Sequence, residues 1–170
     1  MYATKVSLGT SIAKIIDELP ECKGFSLVSA VLSITAAVWI PSAAIWYLIG
    51  ALFPGPTGPS IFDTPRFAIL GALLLAPLLE TLMMLGFFRV FGRIIFSQRW
   101  LLLLSTICWG AFHVYSPSWG LHAAWGFFVM GKVFLSASRR SSDFAVLIVV
   151  AVHLLANVLS YGATAIAKTI

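Results

Sequence analysis

Four polar side chains stand inside long apolar stretches of this chain, and their types suit hydrolytic chemistry. They are Glu80, His113, His153 and Asn157. A carboxylate near the middle of a hydrocarbon layer costs roughly 2.5 to 3.5 kcal/mol even on lenient insertion scales, so it usually faces a protein interior or a water pocket. Glu80 is therefore a candidate functional residue. The structural alternative is a buried acid paired with a base, and a single membrane histidine is more often a packing or hydrogen-bonding residue than a ligand.

Spacing along the chain places Glu80 and His113 at one depth and His153 well inside the membrane. Glu80 and His113 are 33 residues apart. A helical hairpin folded midway, at Phe96 and Ser97, leaves each about 16 residues, or ~24 Å, from the turn. His153 lies ten residues after Asp143, or ~15 Å along a helix from the same side. The three ionisable groups are thus expected to converge on one layer of the membrane.

The residues near the histidines in sequence add Asn157 to the candidate functional residues and leave His122 out. Asn157 follows His153 by four residues, so the two lie on one helical face and are expected to point inward together. The third histidine, His122, stands between Trp119 and Trp125. Tryptophan is enriched at membrane interfaces, so an interfacial role is expected for His122.

Composition indicates an integral membrane protein. The 170 residues are 60% hydrophobic and 10% charged, against roughly 25% charged in a soluble globular domain. Mean hydropathy is +0.99. The net charge of +5 comes from basic residues that are scattered singly between apolar runs. Because nucleic-acid binding needs a clustered basic patch, the expected partner is the lipid bilayer and not a nucleic acid.

The apolar runs predict an all-α, polytopic membrane helical bundle. Residues 1–25 form an N-terminal cytoplasmic or interfacial segment with a short amphipathic helix from Ser11 to Leu19. Residues 26–170 form a single transmembrane domain. Its five predicted spans are 26–53, the run from 67 past Arg89, 100–115, 119–137 and 144–167. Pro41 and Pro77 are expected to kink their helices. A proline- and glycine-rich loop, 54–66, separates the first two spans.

The basic residues predict the orientation of the bundle. With a cytoplasmic N-terminus and five spans, one side of the membrane carries most of the cations and the other carries Arg66 and Lys168. The cations on the first side are Lys5, Lys14, Lys23, Arg89, Arg93, Arg99, Arg139 and Arg140. Because cations accumulate on the cytoplasmic side, the N-terminus is predicted to be cytoplasmic. A short basic chain without organelle signals indicates a prokaryotic inner (cell) membrane, and it carries no signal for an oligomeric state.

Three motifs in order resemble those of the CPBP family of intramembrane proteases, the CAAX-protease, bacteriocin-processing and Abi-type group. The sequence PLLET contains Pro77 and Glu80, WGAFH contains Trp109 and His113, and HLLAN contains His153 and Asn157. The family's motifs are a glutamate pair often preceded by proline and followed by arginine, an aromatic residue four before a histidine, and HxxxN. The resemblance covers about residues 73–160.

Two positions depart from the family pattern. Thr81 stands where the second glutamate is expected, and Leu85 stands where the arginine is expected. Arg89 is the nearest arginine, four residues or just over a turn further along the helix. The first glutamate is the catalytic one in the family, and here that residue is Glu80.

The resemblance implies an intramembrane endopeptidase that cleaves a membrane-associated protein or peptide, such as a C-terminal sorting or processing tail. Glu80 would activate water, His113 would orient it, and His153 with Asn157 would stabilise the developing oxyanion. Glu80, His113 and His153 also match a zinc ligand set with one open position. The lack of HExxH speaks against a tightly bound metal. The alternative is a noncatalytic CPBP-like membrane protein, either an immunity factor or a scaffold.

Overall fold

The computed structural model describes residues 11–53, 70–95, 97–114 and 116–167, and these residues form helices and no strands. The prediction of an all-α helical bundle is confirmed. Six α-helices follow one another along the chain, and a π-helical segment, Gly71–Leu75, precedes the third. They are α1 (Ile12–Glu18), α2 (Phe25–Leu52), α3 (Ala76–Phe91), α4 (Gln98–Phe112), α5 (Pro117–Ala137) and α6 (Ser142–Ala167). The predicted loop 54–66 lies outside the described residues.

Four helical stretches in the described part of the chain are long and apolar enough to cross a membrane: Phe25–Leu52, Leu73–Phe91, Pro117–Ala137 and Ser142–Ala163. The remaining predicted span corresponds to α4, which has only 15 residues. At 1.5 Å per residue α4 is about 22 Å long, shorter than the ~30 Å hydrocarbon layer. It ends at His113, where the backbone leaves helical geometry. A candidate functional residue therefore lies at a helix end that stops short of a full crossing.

Helix α5 is the central helix, and small residues let its neighbours approach it closely. A Cβ atom on Gly110 of α4 would lie 3.0 Å from the Cβ of Ala124 on α5. A Cβ atom on Gly131 of α5 would lie 2.7 Å from Leu102 Cδ1. A Cβ atom at either position would force its neighbour to move, by a few tenths of an ångström at Ala124 and by a shift of the Leu102 side chain, so glycine favours both contacts. These close approaches hold α4, and with it His113, against α5.

Pro41 lies inside α2, which continues from Phe25 to Leu52. Proline has no backbone N–H, so it leaves the carbonyl of Ala37, four residues earlier, without its helical donor. The indole Nε1–H of Trp125 on α5 donates to that carbonyl at 3.0 Å. A proline in one helix is thus matched by a tryptophan in another, and the bond also joins α2 to α5.

Replacing Trp125 by Phe is expected to lower the free energy of unfolding by about 1–3 kcal/mol, because the Ala37 carbonyl loses its donor. The same substitution in a Pro41→Ala background should cost clearly less, since an alanine at this position supplies the missing backbone N–H. The original chain, the two single variants and the double variant are unfolded in detergent. Far-UV circular dichroism monitors the loss of helix without using a tryptophan signal, and the four free energies of unfolding give the coupling between the two positions. Equal costs in the two backgrounds would contradict it.

The N-terminal helix α1 is present where the sequence predicts it, with the Ser11 hydroxyl accepting from the backbone N–H of Lys14. Its apolar residues Ile15, Ile16 and Leu19 are buried in the protein core. The Ser136 hydroxyl at the end of α5 donates to the Ile16 carbonyl at 2.6 Å. The expected surface helix is therefore packed against the bundle, because α5 covers its apolar face.

Six of the described cations lie at one end of the bundle. The rings of Phe88 on α3 and Phe134 on α5 stack 5.3 Å apart, so the C-terminal ends of these two helices lie side by side. Arg89, Arg93, Arg139 and Arg140 follow those rings, and the contacts of α1 bring Lys14 and Lys23 to the same end. We call this the basic end. Arg66 and Lys168 lie outside the described residues, and the cytoplasmic side of the membrane stays a prediction.

Candidate active site

Glu80 lies one turn into α3, just after an irregular piece of helix. The π-helical segment Gly71–Leu75 leads directly into α3, and Pro77 occupies the first turn of the α-helix. The missing N–H of proline is tolerated there because first-turn N–H groups have no intrahelical partner in a free-standing helix. The kink expected at Pro77 therefore takes the form of a change from π- to α-helical winding. Such π-helical turns are frequent at functional sites.

The structure brings Glu80, His113 and His153 together from three different helices. Glu80 Oε1 lies 3.8 Å from His113 Nε2, and Glu80 Oε2 lies 3.5 Å from His153 Nε2. The three side chains are 23%, 22% and 12% exposed, respectively. Each carboxylate oxygen thus faces one imidazole nitrogen, at separations that a single water molecule can bridge. This convergence is the one that the spacing along the chain predicted.

The end of α4 fixes the ring orientation of His113. The backbone N–H of His113 bonds to the Gly110 carbonyl at 3.2 Å, as the last turn tightens. The Trp109 carbonyl, which a regular α-helix would pair with that N–H, instead lies 2.8 Å from His113 Nδ1. A carbonyl only accepts, so Nδ1 carries a proton. In the neutral ring, Nε2 is then an unprotonated acceptor, and it is the atom that faces Glu80.

His153 has the opposite arrangement. Its Nδ1 is buried and has no hydrogen-bond partner among the described residues, whereas its Nε2 faces Glu80 Oε2. A proton on Nε2 points at a carboxylate oxygen, whereas a proton on Nδ1 would leave a lone pair facing that oxygen. The tautomer with the proton on Nε2 is the favoured neutral form, because it turns a repulsive contact into an attractive one.

The two tautomers together make an acceptor pair. His153 is oriented to donate toward Glu80 Oε2, while Glu80 Oε1 and His113 Nε2 are both acceptors 3.8 Å apart. A water molecule has two O–H groups and can donate one to each of these atoms. With His113 neutral, Glu80 Oε1 and His113 Nε2 are thus two acceptors to which one water molecule could donate.

Phe127 of α5 packs between the two histidines. Its ring centre is 5.3 Å from that of His113 and 5.8 Å from that of His153, with the latter ring nearly perpendicular. On its other side it stacks on Trp109 at 4.7 Å. Phe127 and Trp109 are 3% and 6% exposed, so both rings are held by the core. Phe127 contacts both histidines, and sequence reasoning missed it because one phenylalanine among 13 carries no distinguishing signal.

The residues that depart from the family pattern lie as follows. The Thr81 hydroxyl donates to the Pro77 carbonyl at 2.7 Å, and the side chain is fully buried. The donor of this hydroxyl is therefore taken by the backbone of its own helix, at the position where the family has its second glutamate. Leu85 packs against the core. Arg89 is exposed in the last turn of α3, nine residues or about 13.5 Å along the axis from Glu80.

The other two candidate residues occupy different surroundings. Asn157 is half-buried on α6, one turn beyond His153. His122 lies on α5, where its Nδ1 is 3.3 Å from the Ser42 carbonyl while the Ser42 hydroxyl donates to the His122 carbonyl at 3.5 Å. The ring of Trp46 is 6.0 Å away. His122 thus joins α5 to α2, which is a structural role.

A metal ion is not supported by the arrangement of the described residues. Structural and catalytic zinc sites use three or four side chains directed at one point about 2.0–2.3 Å away. No group of three or more His, Cys, Asp and Glu side chains in ranges 11–53, 70–95, 97–114 and 116–167 is arranged to hold a metal ion. The predicted zinc ligands Glu80, His113 and His153 do meet, as one carboxylate between two imidazoles.

Comparison of the chain with protein-family models, with curated proteins and with solved structures finds no match. The resemblance to the CPBP family therefore depends on the three motifs that carry Glu80, His113 and His153.

Proposed function

We propose that this protein is an intramembrane endopeptidase of the CPBP type that hydrolyses a peptide bond in a membrane-associated protein or peptide. The observation that carries the proposal is the 3.8 Å separation of Glu80 Oε1 and His113 Nε2, which form the acceptor pair when His113 is neutral. A hydrolytic water must be oriented and must lose a proton as it attacks, and these two atoms provide both functions. The surrounding apolar helices keep bulk water away, which strengthens each polar contact within the site.

The reaction proposed here uses side chains alone. Glu80 takes a proton from the bound water as the water oxygen attacks the carbonyl carbon of the substrate, which forms a tetrahedral intermediate. The proton on Glu80 then passes to the amide nitrogen, the C–N bond breaks, and an amine and a carboxylic acid leave the site. His113 Nε2 holds the second O–H of the water and can carry that proton when the carboxylic acid product ionises.

His153 and Asn157 have supporting roles in the proposal. The Nε2–H of His153 directed at Glu80 Oε2 holds the carboxylate, so that Oε1 is the oxygen that acts as base. Asn157 lies on the same face of α6 one turn away, and its side-chain amide is the candidate donor to the oxyanion. One such donor in a preorganised site contributes about 10²- to 10³-fold to the rate. The sequence assigned stabilisation of the oxyanion to His153 and Asn157 together. The proposal now gives that role to Asn157 and gives His153 the role of holding the Glu80 carboxylate.

The substrate class follows from where the site lies. Glu80 is in a membrane-capable stretch, Leu73–Phe91, and His153 is in another, Ser142–Ala163. A scissile bond must therefore reach a layer surrounded by apolar helices, which favours a substrate segment that itself enters the membrane, such as a C-terminal sorting or processing tail. We place the enzyme in a prokaryotic cell membrane with its N-terminus in the cytoplasm, on the basis of the cations at the basic end.

Hydrolysis of membrane-segment peptides by the purified, reconstituted protein tests this proposal. In H₂¹⁸O the new C-terminal carboxylate should gain one ¹⁸O atom, because the oxygen comes from the bound water, and mass spectrometry of the products detects it. Activity should persist in a chelator that removes zinc. Loss of activity in chelator with recovery on zinc addition would overturn the side-chain mechanism, and the absence of cleavage across a panel of such peptides would count against a peptidase.

One observation favours a noncatalytic CPBP-like protein, either an immunity factor or a scaffold. The Thr81 hydroxyl is bonded within its own helix, and Leu85 offers no charge, so the second carboxylate and the arginine of the family have no replacement at those positions. Against this, three ionisable side chains kept at one buried point cost solvation that a scaffold has no reason to retain. If the site is decayed, Glu80→Ala should leave the biological activity of the protein unchanged.

A further inference from the structure

We infer that a cavity at the basic end binds the phosphoethanolamine headgroup of a membrane phospholipid. The cavity has a volume of about 470 Å³ and lies between the segment after α1 and the segment after α5. Its lining residues are Asp17, Pro20, Glu21, Lys23, Arg139 and Arg140. Three basic and two acidic residues thus line one space, which suits a small ligand that carries both a negative and a positive group.

The cavity lies at the level where lipid headgroups are found. Lys23 lies two residues before α2, whose first residue, Phe25, is 88% exposed at the start of a membrane-capable stretch. Arg139 and Arg140 lie two and three residues after Ala137, the last residue of α5. The lining residues therefore stand where two apolar spans end, and this is the boundary between hydrocarbon and headgroups.

The cationic side of the cavity has hydrogen-bond donors to spare. Arg139 uses Nε and Nη2 to bond to the Ser136 carbonyl, the Ser136 hydroxyl and the Asp17 carbonyl. These bonds fix the guanidinium and leave Nη1 for a ligand. Arg140 stacks over the ring of Phe144 at 4.3 Å and donates weakly to the Cys22 carbonyl at 3.5 Å. Two anchored guanidinium groups and the Lys23 ammonium make a site for a phosphate, which arginine binds through paired N–H groups.

The carboxylate side selects the second group of the ligand. Asp17 and Glu21 are four residues apart, and both line the cavity. A primary ammonium has three N–H donors and can bond to both carboxylates, whereas a trimethylated ammonium has none. A headgroup with phosphate alone leaves the carboxylates without a partner. The chemistry therefore favours phosphoethanolamine over phosphocholine and over phosphoglycerol.

Native mass spectrometry of the full chain tests this inference with three phospholipids of identical acyl chains, which carry ethanolamine, choline or glycerol headgroups. Ethanolamine lipid should bind about threefold to tenfold more tightly than choline lipid, as expected for two partly exposed ion pairs. Lys23→Gln and Arg140→Gln should weaken binding of all three lipids. Asp17→Asn with Glu21→Gln should remove the preference for ethanolamine while binding of the glycerol lipid is kept or increased.

Arg93→Gln is the matched control, because Arg93 is also at the basic end but does not line the cavity, and it should leave the order of preference unchanged. Binding of two soluble ligands, glycerophosphoethanolamine and inorganic phosphate, is measured to separate a lipid site from a site for a free anion. Ethanolamine lipid should displace both soluble ligands from the protein. Lys23 makes no side-chain bond within the described residues, so its variant keeps the test valid if Arg140→Gln fails to fold. Equal binding of ethanolamine and choline lipids, or an unchanged preference in the Asp17/Glu21 variant, would overturn the inference.

Discussion

Replacing Glu80 by Gln should lower the rate of substrate cleavage by about 10²- to 10⁴-fold, the usual contribution of a general base. Glutamine keeps the volume of the side chain and can accept a hydrogen bond from His153, but its amide cannot take a proton from water. The yield of folded protein in the membrane should therefore stay near that of the original chain, because the substitution removes a buried charge without leaving a cavity. Cleavage of a co-expressed or reconstituted substrate, measured beside membrane yield and melting temperature, separates the two effects.

Glu18→Gln is the matched control for that experiment. Glu18 lies on α1 and pairs with Lys14 at 3.7 Å on the surface of the protein, so the same chemical change there should leave cleavage unaltered. Full activity in Glu80→Gln would reject Glu80 as the base. Loss of membrane yield in Glu80→Gln but not in Glu18→Gln would instead show that the carboxylate is needed for folding.

A second large effect is expected at His113, and two substitutions separate its two ring nitrogens. His113→Asn retains an N–H near the position of Nδ1, so it can still donate to the Trp109 carbonyl at the end of α4, but it has no atom in place of Nε2. We expect this variant to fold and to lose about 10²- to 10³-fold in rate, comparable with the removal of one positioned polar group from an active site. His113→Gln keeps an acceptor near Nε2 and should retain more activity, although α4 should be less stable.

His122→Asn controls for the histidine-to-asparagine change. His122 also contacts a backbone carbonyl through Nδ1, that of Ser42. Its described contacts are with α2 and with Trp119, and they do not include Glu80. Its substitution should leave the cleavage rate unchanged. If His113→Asn cleaves as fast as the original chain, or if it is less active only because less of it is folded, the acceptor pair is not the water site.

The sequence alone predicts the class of fold and the meeting of the three ionisable groups, and the reason is geometric. An α-helix rises 1.5 Å per residue whatever its neighbours are. Residue counts from the turns therefore set the depth of Glu80, His113 and His153, and the cost of burying charge predicts that these residues face one another. The same counting does not detect that α4 ends at Phe112, because the predicted span, 100–115, follows from composition and not from the hydrogen bonds that end the helix.

Only the tertiary structure decides rotation and hydrogen-bond partners. The Thr81 hydroxyl turns back to the Pro77 carbonyl, and the Trp109 carbonyl selects the tautomer of His113. Phe127 enters the site from α5 because Gly110 lets α4 approach that helix closely. The depth of a residue in the membrane depends on one helix alone, because it follows from the number of residues between that position and the helix end. Rotation and donor choice depend on side chains from several helices that compete for the same buried space, so they are fixed only when those helices pack.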